Sequence, residues 1–515
     1  MKPLVMSFIV TLGLLAGCAS SPSSPAVGAE AVYRTSVWTL DEVRASLPHI
    51  QKSATAAAEF YCNDPSDAGL AIEGGDWFRA ELDHRSGGIM AVVAWWPREK
   101  FNGVVLYHLQ SQARLADDLK NIAFYNERNC PVYLLGTADL LEQARLGGAK
   151  FADTIPVPAA TVEGVSTVDL ATVAVSWTWV CEFVAACTRQ GKMPVMFQSI
   201  KFVPSGKERI DKHTLNPMMA QRRYTKFHDD LAVSPIPAGQ LGKEWLTMAR
   251  KRLDTLRARE MKNIRQAAKW AADAKASGGS AYFWSTTHVL GPIGRSVNNP
   301  TSLTPLPPVP KPDTPAEEQN PLGPGDFVLG IGYDAIVANE PPKLAWLRQS
   351  GAKVALSAAN YRPENNTTAP GELFIDQHWP LGDADVIVPG YDVNIAPTSG
   401  LLAVEIYLMI SAEINALEAA STKAAAKKAA KEAAAVTKAE KKAAKQIAAN
   451  EAAAKKAHAK AVKAEAKAQK KAQKEDEREL ARCLGKRKRD YVIPIMLVTA
   501  KVALIATKIT LHCVK

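Results

Sequence analysis

Zinc-type spacing is missing from this sequence. Its seven cysteines, Cys18, Cys62, Cys130, Cys181, Cys187, Cys483 and Cys513, include no Cys-x-x-Cys pair. That removes the common tetrahedral zinc frameworks, and no metal is expected. The Gly-x-Ser-x-Gly elbow, the Walker loop and His-Glu-x-x-His are absent too. Gly330-Ile331-Gly332 lacks the third glycine and the later acid of a dinucleotide fingerprint, so no cofactor is expected. From Leu401 to Leu484 there is neither glycine nor proline, and residues 421–474 hold no aromatic residue and no arginine. The last absence removes base stacking and bidentate base contacts, which makes nucleic acid an unexpected partner.

What is present divides into parts. The chain has 515 residues, enough for two full cores with appendages. Its formal net charge is +11, but residues 421–474 carry 16 Lys against 4 Glu. The basicity therefore belongs to that segment, and the rest is near neutral. The segment is almost all Ala, Lys, Glu and Gln, which are strong helix formers. It predicts a solvated rod of about 80 Å. No a/d apolar seam runs through it, so a self-associating coiled coil is not expected. Its charge suits an anionic envelope polymer or lipid headgroups.

The first residues read as a targeting segment. Met1-Lys2 precedes an apolar run, Leu4–Leu15, that is short for a membrane span. Leu15-Ala16-Gly17-Cys18 follows, then a Ser/Pro-rich stretch. This resembles a bacterial lipoprotein signal. It implies lipidation of Cys18, a membrane as partner, and a location on the periplasmic or outer-membrane side of a bacterial envelope. At the other end, Tyr491–Val514 is apolar but carries Lys501 and Lys508, and Lys486–Arg489 is basic. A membrane-surface or partner-binding segment is expected there before a spanning helix.

Between these ends the pattern is α/β. Gly325–Tyr333 reads as a buried strand followed by a glycine turn, and Ser350–Leu356 as a second strand after a helix. Two parallel strands joined by a helix form a βαβ unit, and such sheets bind ligands at their carboxyl ends. Gln266–Lys275 reads as a helix and Gly278–Trp284 as a strand; Ser285-Thr286-Thr287-His288 follows it. Ala384–Pro389 reads as a late strand, and Ala396-Pro397-Thr398-Ser399-Gly400 as the start of a long helix. Thr398 and Ser399 are placed to cap that helix. Asn299–Pro324 holds nine prolines and reads as an extended insert.

In this order the motifs resemble the sugar isomerase (SIS) domain, over about residues 245–415. The resemblance implies a sugar or sugar-phosphate ligand, for which Ser285, Thr286, Thr287, Gly332, Asp334, Thr398 and Ser399 are the candidate contacts. One departure stands out. Where the family has a hydroxyl-rich phosphate loop, this chain reads Tyr333-Asp334-Ala335-Ile336-Val337-Ala338-Asn339. A phosphate needs N–H and O–H donors, and Asp334 repels it.

Residues 50–235 repeat the order of elements. Ala54–Tyr61 reads as a helix, Gly74-Gly75-Asp76 as a loop, Gly103–His108 as a strand, Arg114–Glu127 as a helix, Pro131–Gly136 as a strand and Val173–Cys187 as a long apolar helix. This predicts tandem SIS-like three-layer αβα lobes with parallel sheets. The expected boundaries are a signal at 1–18, a tether at 19–40, lobes at 41–240 and 241–418, a basic stalk at 419–485 and an apolar end at 486–515.

An isomerase or lyase needs a proton-transferring pair, for which His288 and Glu81 are the candidates. Asp76 in the first glycine loop joins them as a ligand contact. Glu81 and Arg85 are also spaced i, i+4, as in an ordinary surface ion pair. His228-Asp229-Asp230 reads as a solvated loop between lobes, and Cys181 and Cys187 read as small buried hydrophobes. The function expected is carbohydrate-derivative binding without catalysis, on a membrane anchor. An isomerase or lyase and an envelope scaffold are the alternatives, and a homo-oligomer stays open.

Overall fold

A computed structural model describes residues 27–64, 69–83, 85–90, 101–199, 206–213, 225–285, 303–308, 322–332, 341–365, 368–421 and 423–486. The described residues up to 430 form one compact unit, and those from 431 onward belong to another.

The body opens with α1 (Ala29–Ala45) and α2 (Leu47–Asn63). The first sheet holds β1 (Leu70–Glu73), β2 (Val104–His108), β3 (Val132–Gly136) and β4 (Asp153–Pro156). Helices α3 (Asp76–Leu82), α4 (Leu115–Asn126) and α5 (Ala138–Leu146) alternate with its strands. The order is β1-β2-β3-β4, and every neighbouring pair is parallel. A short hairpin, β5 (Thr161–Val162) and β6 (Val165–Ser166), leads into α6 (Val168–Arg189); α7 (Gly206–His213) and α8 (Gln240–Ala276) follow.

The second sheet is built from β7 (Ala281–Ser285), β8 (Thr304–Pro305), β9 (Phe327–Ile331), β10 (Lys353–Ala358) and β11 (Leu373–Asp376), with α9 (Pro341–Ser350) before β10. Its order is β11-β10-β9-β7-β8, again wholly parallel. The proline-rich insert thus supplies an edge strand, the one place in a sheet where missing N–H donors do least harm. A separate antiparallel hairpin, β12 (Ala384–Val386) and β13 (Ile395–Pro397), precedes α10 (Ser399–Ser421). The last helix is α11 (Lys423–Lys486).

Period-two alternation sorts each sheet's residues between two layers. Val104 and Leu106 face the large shared core, while Val105 and Tyr107 face α4 and α5. In the second sheet Phe327, Leu329 and Ile331 join the same shared core, while Val328, Val354 and Leu356 pack with α9. Helices α1, α6, α8 and α10 fill that core. In α8 the buried Leu241, Trp245, Ala249, Leu253, Leu256 and Ile264 fall on one helical face. Carboxylates reach in to cap two helix starts. Glu413 accepts the Ala29 N–H at 2.8 Å, and Glu182 accepts those of Gly239 and Gly242 at 2.7 and 2.9 Å.

Helices α6 and α10 are long and apolar enough to cross a bilayer, yet their most apolar windows are 100% and 78% buried in the body. Three sequence expectations are corrected. The tether cannot extend to residue 40, because α1 starts at Ala29 and buries Val32, Leu40 and Val43. The late strand pairs with β13, antiparallel, and stands outside the second sheet. The loop read at Gly74-Gly75-Asp76 ends at Gly75, between an unforeseen strand, β1, and α3, which begins at Asp76.

Candidate functional site

The carboxyl ends of β7, β9, β10 and β11 meet at one edge. Strand β7 ends on Ser285 and β9 on Ile331. Gly332 N–H donates to the Ser357 carbonyl at 2.8 Å, and Gln377 N–H to that of Ala358 at 3.0 Å. The buried Gln377 side chain ties the edge together. Its Nε2 donates to the Gly332 carbonyl at 3.0 Å and to Ser357 Oγ at 3.3 Å, and its Oε1 accepts from Trp379 Nε1 at 2.8 Å. A primary amide offers two donors and two lone pairs, so one side chain can span these strand tips.

Beside it stands His378. Its ring nitrogens lie 3.0 Å from Glu260 Oε1 and 3.2 Å from Asp376 Oδ2. Asn263 Nδ2 donates to Glu260 Oε2 at 3.0 Å, fixing that carboxylate. His378 has φ +55°, Asp383 +68° and Ala396 +58°. Non-glycine residues in the left-handed region carry backbone strain, and such strain gathers at functional sites. Among the described residues no group of three or more His, Cys, Asp or Glu is placed to hold a metal ion.

A second polar cluster is sealed inside. Arg85 Nη1 donates to Glu81 Oε2 and its Nη2 to Asp383 Oδ2, both at 3.0 Å, and Nη2 also contacts Ser399 Oγ. Trp177 Nε1 donates to Glu81 Oε1 at 2.7 Å. Ser399 Oγ donates to Asp383 Oδ2 at 2.7 Å, and its N–H to Asp383 Oδ1 at 3.2 Å. Thr398 Oγ1 donates to Asp385, which also pairs with Arg252 at 2.6 Å. Glu81 is 0% exposed, Arg85 2% and Asp383 2%. The expected surface pair is therefore a buried one. Sequence spacing showed Glu81 and Arg85 adjacent, but not Asp383 arriving from 298 residues away.

Burial pushes Glu81 up to about 7, while Arg85 and Trp177 pull it down. Burial likewise raises Asp383. A carboxyl group near 7 has the pKa of a general base, but a base must touch substrate. A Cβ on Gly400 would lie 2.2 Å from Glu81 Oε1, so the start of α10 is packed onto that carboxylate.

The first sheet's edge is filled. His108, at the end of β2, is fully buried against Trp77 and Phe78, with ring centroids 5.4 and 5.1 Å away. Burial drives its pKa down to about 3. Gly74, at φ +116°, lies so close that a Cβ would stand 2.2 Å from the His108 carbonyl oxygen.

Of the residues named from sequence, Ser285 and Gly332 come together at the second edge. Glu81, Thr398 and Ser399 lie in the sealed cluster or against it, and Asp76 is the first residue of α3. Thr286, Thr287, His288, Asp334 and Cys18 lie outside the described residues. His228 does not sit in a solvated loop. Its side chain is 3% exposed, its Nε2 lies 3.1 Å from the Tyr391 hydroxyl, and its ring meets that of His213 at 4.8 Å. Gln377, His378 and Glu260 were not foreseen. Their one sequence signal is that Gln377 and His378 directly follow a short strand.

The fold defines an α/β protein of two parallel sheets around one helical interior. No family model and no curated protein matches the chain. Among solved structures, it is similar to the C-terminal domain of glucosamine-fructose-6-phosphate aminotransferase from Francisella tularensis. Identity there is 9% and the TM-score 0.39, over 74% of this chain and 96% of that one. It is also similar to an inferred phosphosugar isomerase from Silicibacter pomeroyi, at 12% identity and TM-score 0.40, covering 76% and 98%. A third is an inferred sugar-binding protein from Salmonella typhimurium, at 9% identity and TM-score 0.38, covering 75% and 99%.

Proposed function

We propose that this chain binds a carbohydrate derivative at the carboxyl edge of its second sheet and does not transform it. The observation that carries this reading is the convergence of four parallel strand ends on Ser285, Gly332 and Gln377, where the backbone and one amide are already fixed. The non-catalytic reading is supported by Glu81, which is committed to Arg85 and Trp177 and packed against Gly400. Without serine or threonine donors in the stretch after β9, and with Asp334 there instead, a neutral or amino sugar suits the site better than a phosphosugar. The two lobes are read as tandem copies, of which the second kept polar groups at its edge.

The same reading places the protein on a lipid anchor at Cys18, on the outer side of a bacterial cell membrane, with α11 as a basic arm for anionic envelope polymer. Its described side chains from Lys441 to Glu479 are nearly all exposed, so the lysines are free to meet such a partner.

Thermal-shift titration of the full chain with glucosamine, N-acetylglucosamine, fructose 6-phosphate and glucosamine 6-phosphate tests the proposal. Stabilisation by an amino sugar, absent in Ser285→Ala or His288→Ala and without turnover, is the expected result. Interconversion of a phosphosugar would revive the isomerase reading. No shift with any sugar, together with co-sedimentation with anionic polymer, would favour the scaffold.

A further inference from the structure

Two histidines meet where α7 and the segment 225–230 pack against the loop of the β12–β13 hairpin. His213 is the last residue of α7, and its carbonyl accepts the Thr225 N–H at 2.8 Å and Thr225 Oγ1 at 2.7 Å. His228 follows in that segment, with its N–H donating to the Met193 carbonyl at 3.0 Å. The two imidazoles stand edge to face, with centroids 4.8 Å apart and planes at 80°. Neither is open to water: His213 is 4% exposed and the His228 side chain 3%. From the hairpin loop, the Tyr391 ring packs on His228 with centroids 5.3 Å apart, and its hydroxyl lies 3.1 Å from Nε2. That hydroxyl accepts the Met196 N–H at 3.3 Å. It can then give its own proton to Nε2, an arrangement open only to the neutral ring.

The charged groups around the pair do little to offset a proton. Helix α7 brings Arg209 and Lys212, the segment brings Asp229 and Asp230, and the hairpin brings Asp392. Arg209 pairs with Asp392 and Lys212 with Asp230, so these two carboxylates already have cations. Their side chains are 71% and 55% exposed, and water screens them. Asp230 Oδ1 is 3.7 Å from His228 Nδ1, beyond hydrogen-bond range. Lys226, in the same segment, donates to the Tyr61 and Asp64 carbonyls at the end of α2, each at 3.1 Å. Burial lowers His228 to about 4, with His213 and Arg209 adding to the effect and Asp230 opposing it. Burial also lowers His213, helped by Lys212 and Arg209. A proton on one ring makes a second on its neighbour harder still to accept in so dry a place.

We propose that His213 and His228 form an acid-released latch: neutral, they hold α7 and residues 225–230 against the β12–β13 hairpin, and protonated, they let that contact open. A histidine freed from the contact titrates near 6.5. Docking is therefore full above that pH and weakens as pH falls toward 4. Opening gives up the Tyr391 hydrogen bond and the packing of its ring, which brings that side chain of the hairpin loop into water. The latch works whether or not a sugar is bound.

Hydrogen–deuterium exchange of the full chain at pH 7.5 and pH 5.5, corrected for the intrinsic pH dependence of exchange, gives the test. Protection of peptides covering Gly206–His213 and residues 225–230 should fall about tenfold at the lower pH, the factor one histidine moved from 6.5 to about 4 supplies, and should return on neutralisation. The double variant His213→Gln/His228→Gln keeps hydrogen-bonding side chains that take up no proton, and its protection in these peptides should not depend on pH. Equal protection at both pH values in the unsubstituted chain would overturn the proposal. So would an equal loss in α6, which would make the change global, or a loss that persists in the double variant. The first two outcomes are read on the unsubstituted chain, so the test does not depend on the variant folding.

Discussion

The two parallel sheets end in opposite ways. At the first, His108, Trp77 and Phe78 fill the space beyond the strands, and Gly74 is pressed against backbone. At the second, an amide, a serine and a histidine between two carboxylates line the strand ends. The same supersecondary plan therefore serves packing in one half and presents polar groups in the other. Between them the Arg85 network joins the segment after α3 to the hairpin and the start of α10. It couples the halves and leaves Glu81 no room for substrate.

The largest expected effect comes from breaking that coupling. Arg85→Ala strands two buried carboxylates and should cost about 3–5 kcal/mol in urea unfolding. The first edge should fail in acid. His108 titrates near 3 in the folded chain and near 6.5 when unfolded, so its stability contribution is full above 6.5 and is lost as pH falls toward 3. His108→Gln should flatten the acid side of a plot of melting temperature against pH.

The opposite slope belongs to Glu405 in α10, fully buried with Ser36 Oγ donating to it at 2.5 Å and its pKa raised by burial to about 7. The unfolded chain ionises first, so stability falls as pH rises from about 4.5 to about 7. Glu405→Gln should remove that loss, worth at most about 3 kcal/mol, and raise the melting midpoint at pH 8. Gly74→Ala should cost about 2 kcal/mol, since it strains the backbone and meets the His108 carbonyl. Gln377→Ala should cost about 1–2 kcal/mol and abolish any sugar-induced thermal shift. If Gly74→Ala abolished the sugar shift and Gln377→Ala preserved it, the contrast between the edges would be reversed.

Much of the fold was legible because strands such as Phe327–Ile331 and Val132–Gly136 are apolar runs bounded by turn residues. Strand β1 was not, being four residues long and next to two glycines. Helix α1 was hidden because its small and hydroxyl-bearing residues resemble a tether, and its burial depends on α8 and α10. Of the candidate site, Ser285 ends a strand and Gly332 follows one, so both could be found. Asp383 and Gln377 could not, because each acts on residues distant in sequence, and no local pattern encodes such a meeting. The pairing of β12 with β13 was not legible for the same reason, since alternation shows a strand but not its neighbour.

Hydrogen–deuterium exchange of the full chain with and without saturating glucosamine tests the central claim most directly. Protection confined to peptides that carry Ser285, Gly332 and Gln377 is the predicted result. Protection at Gly74–Gln110 instead, or none at any sugar concentration, would contradict it.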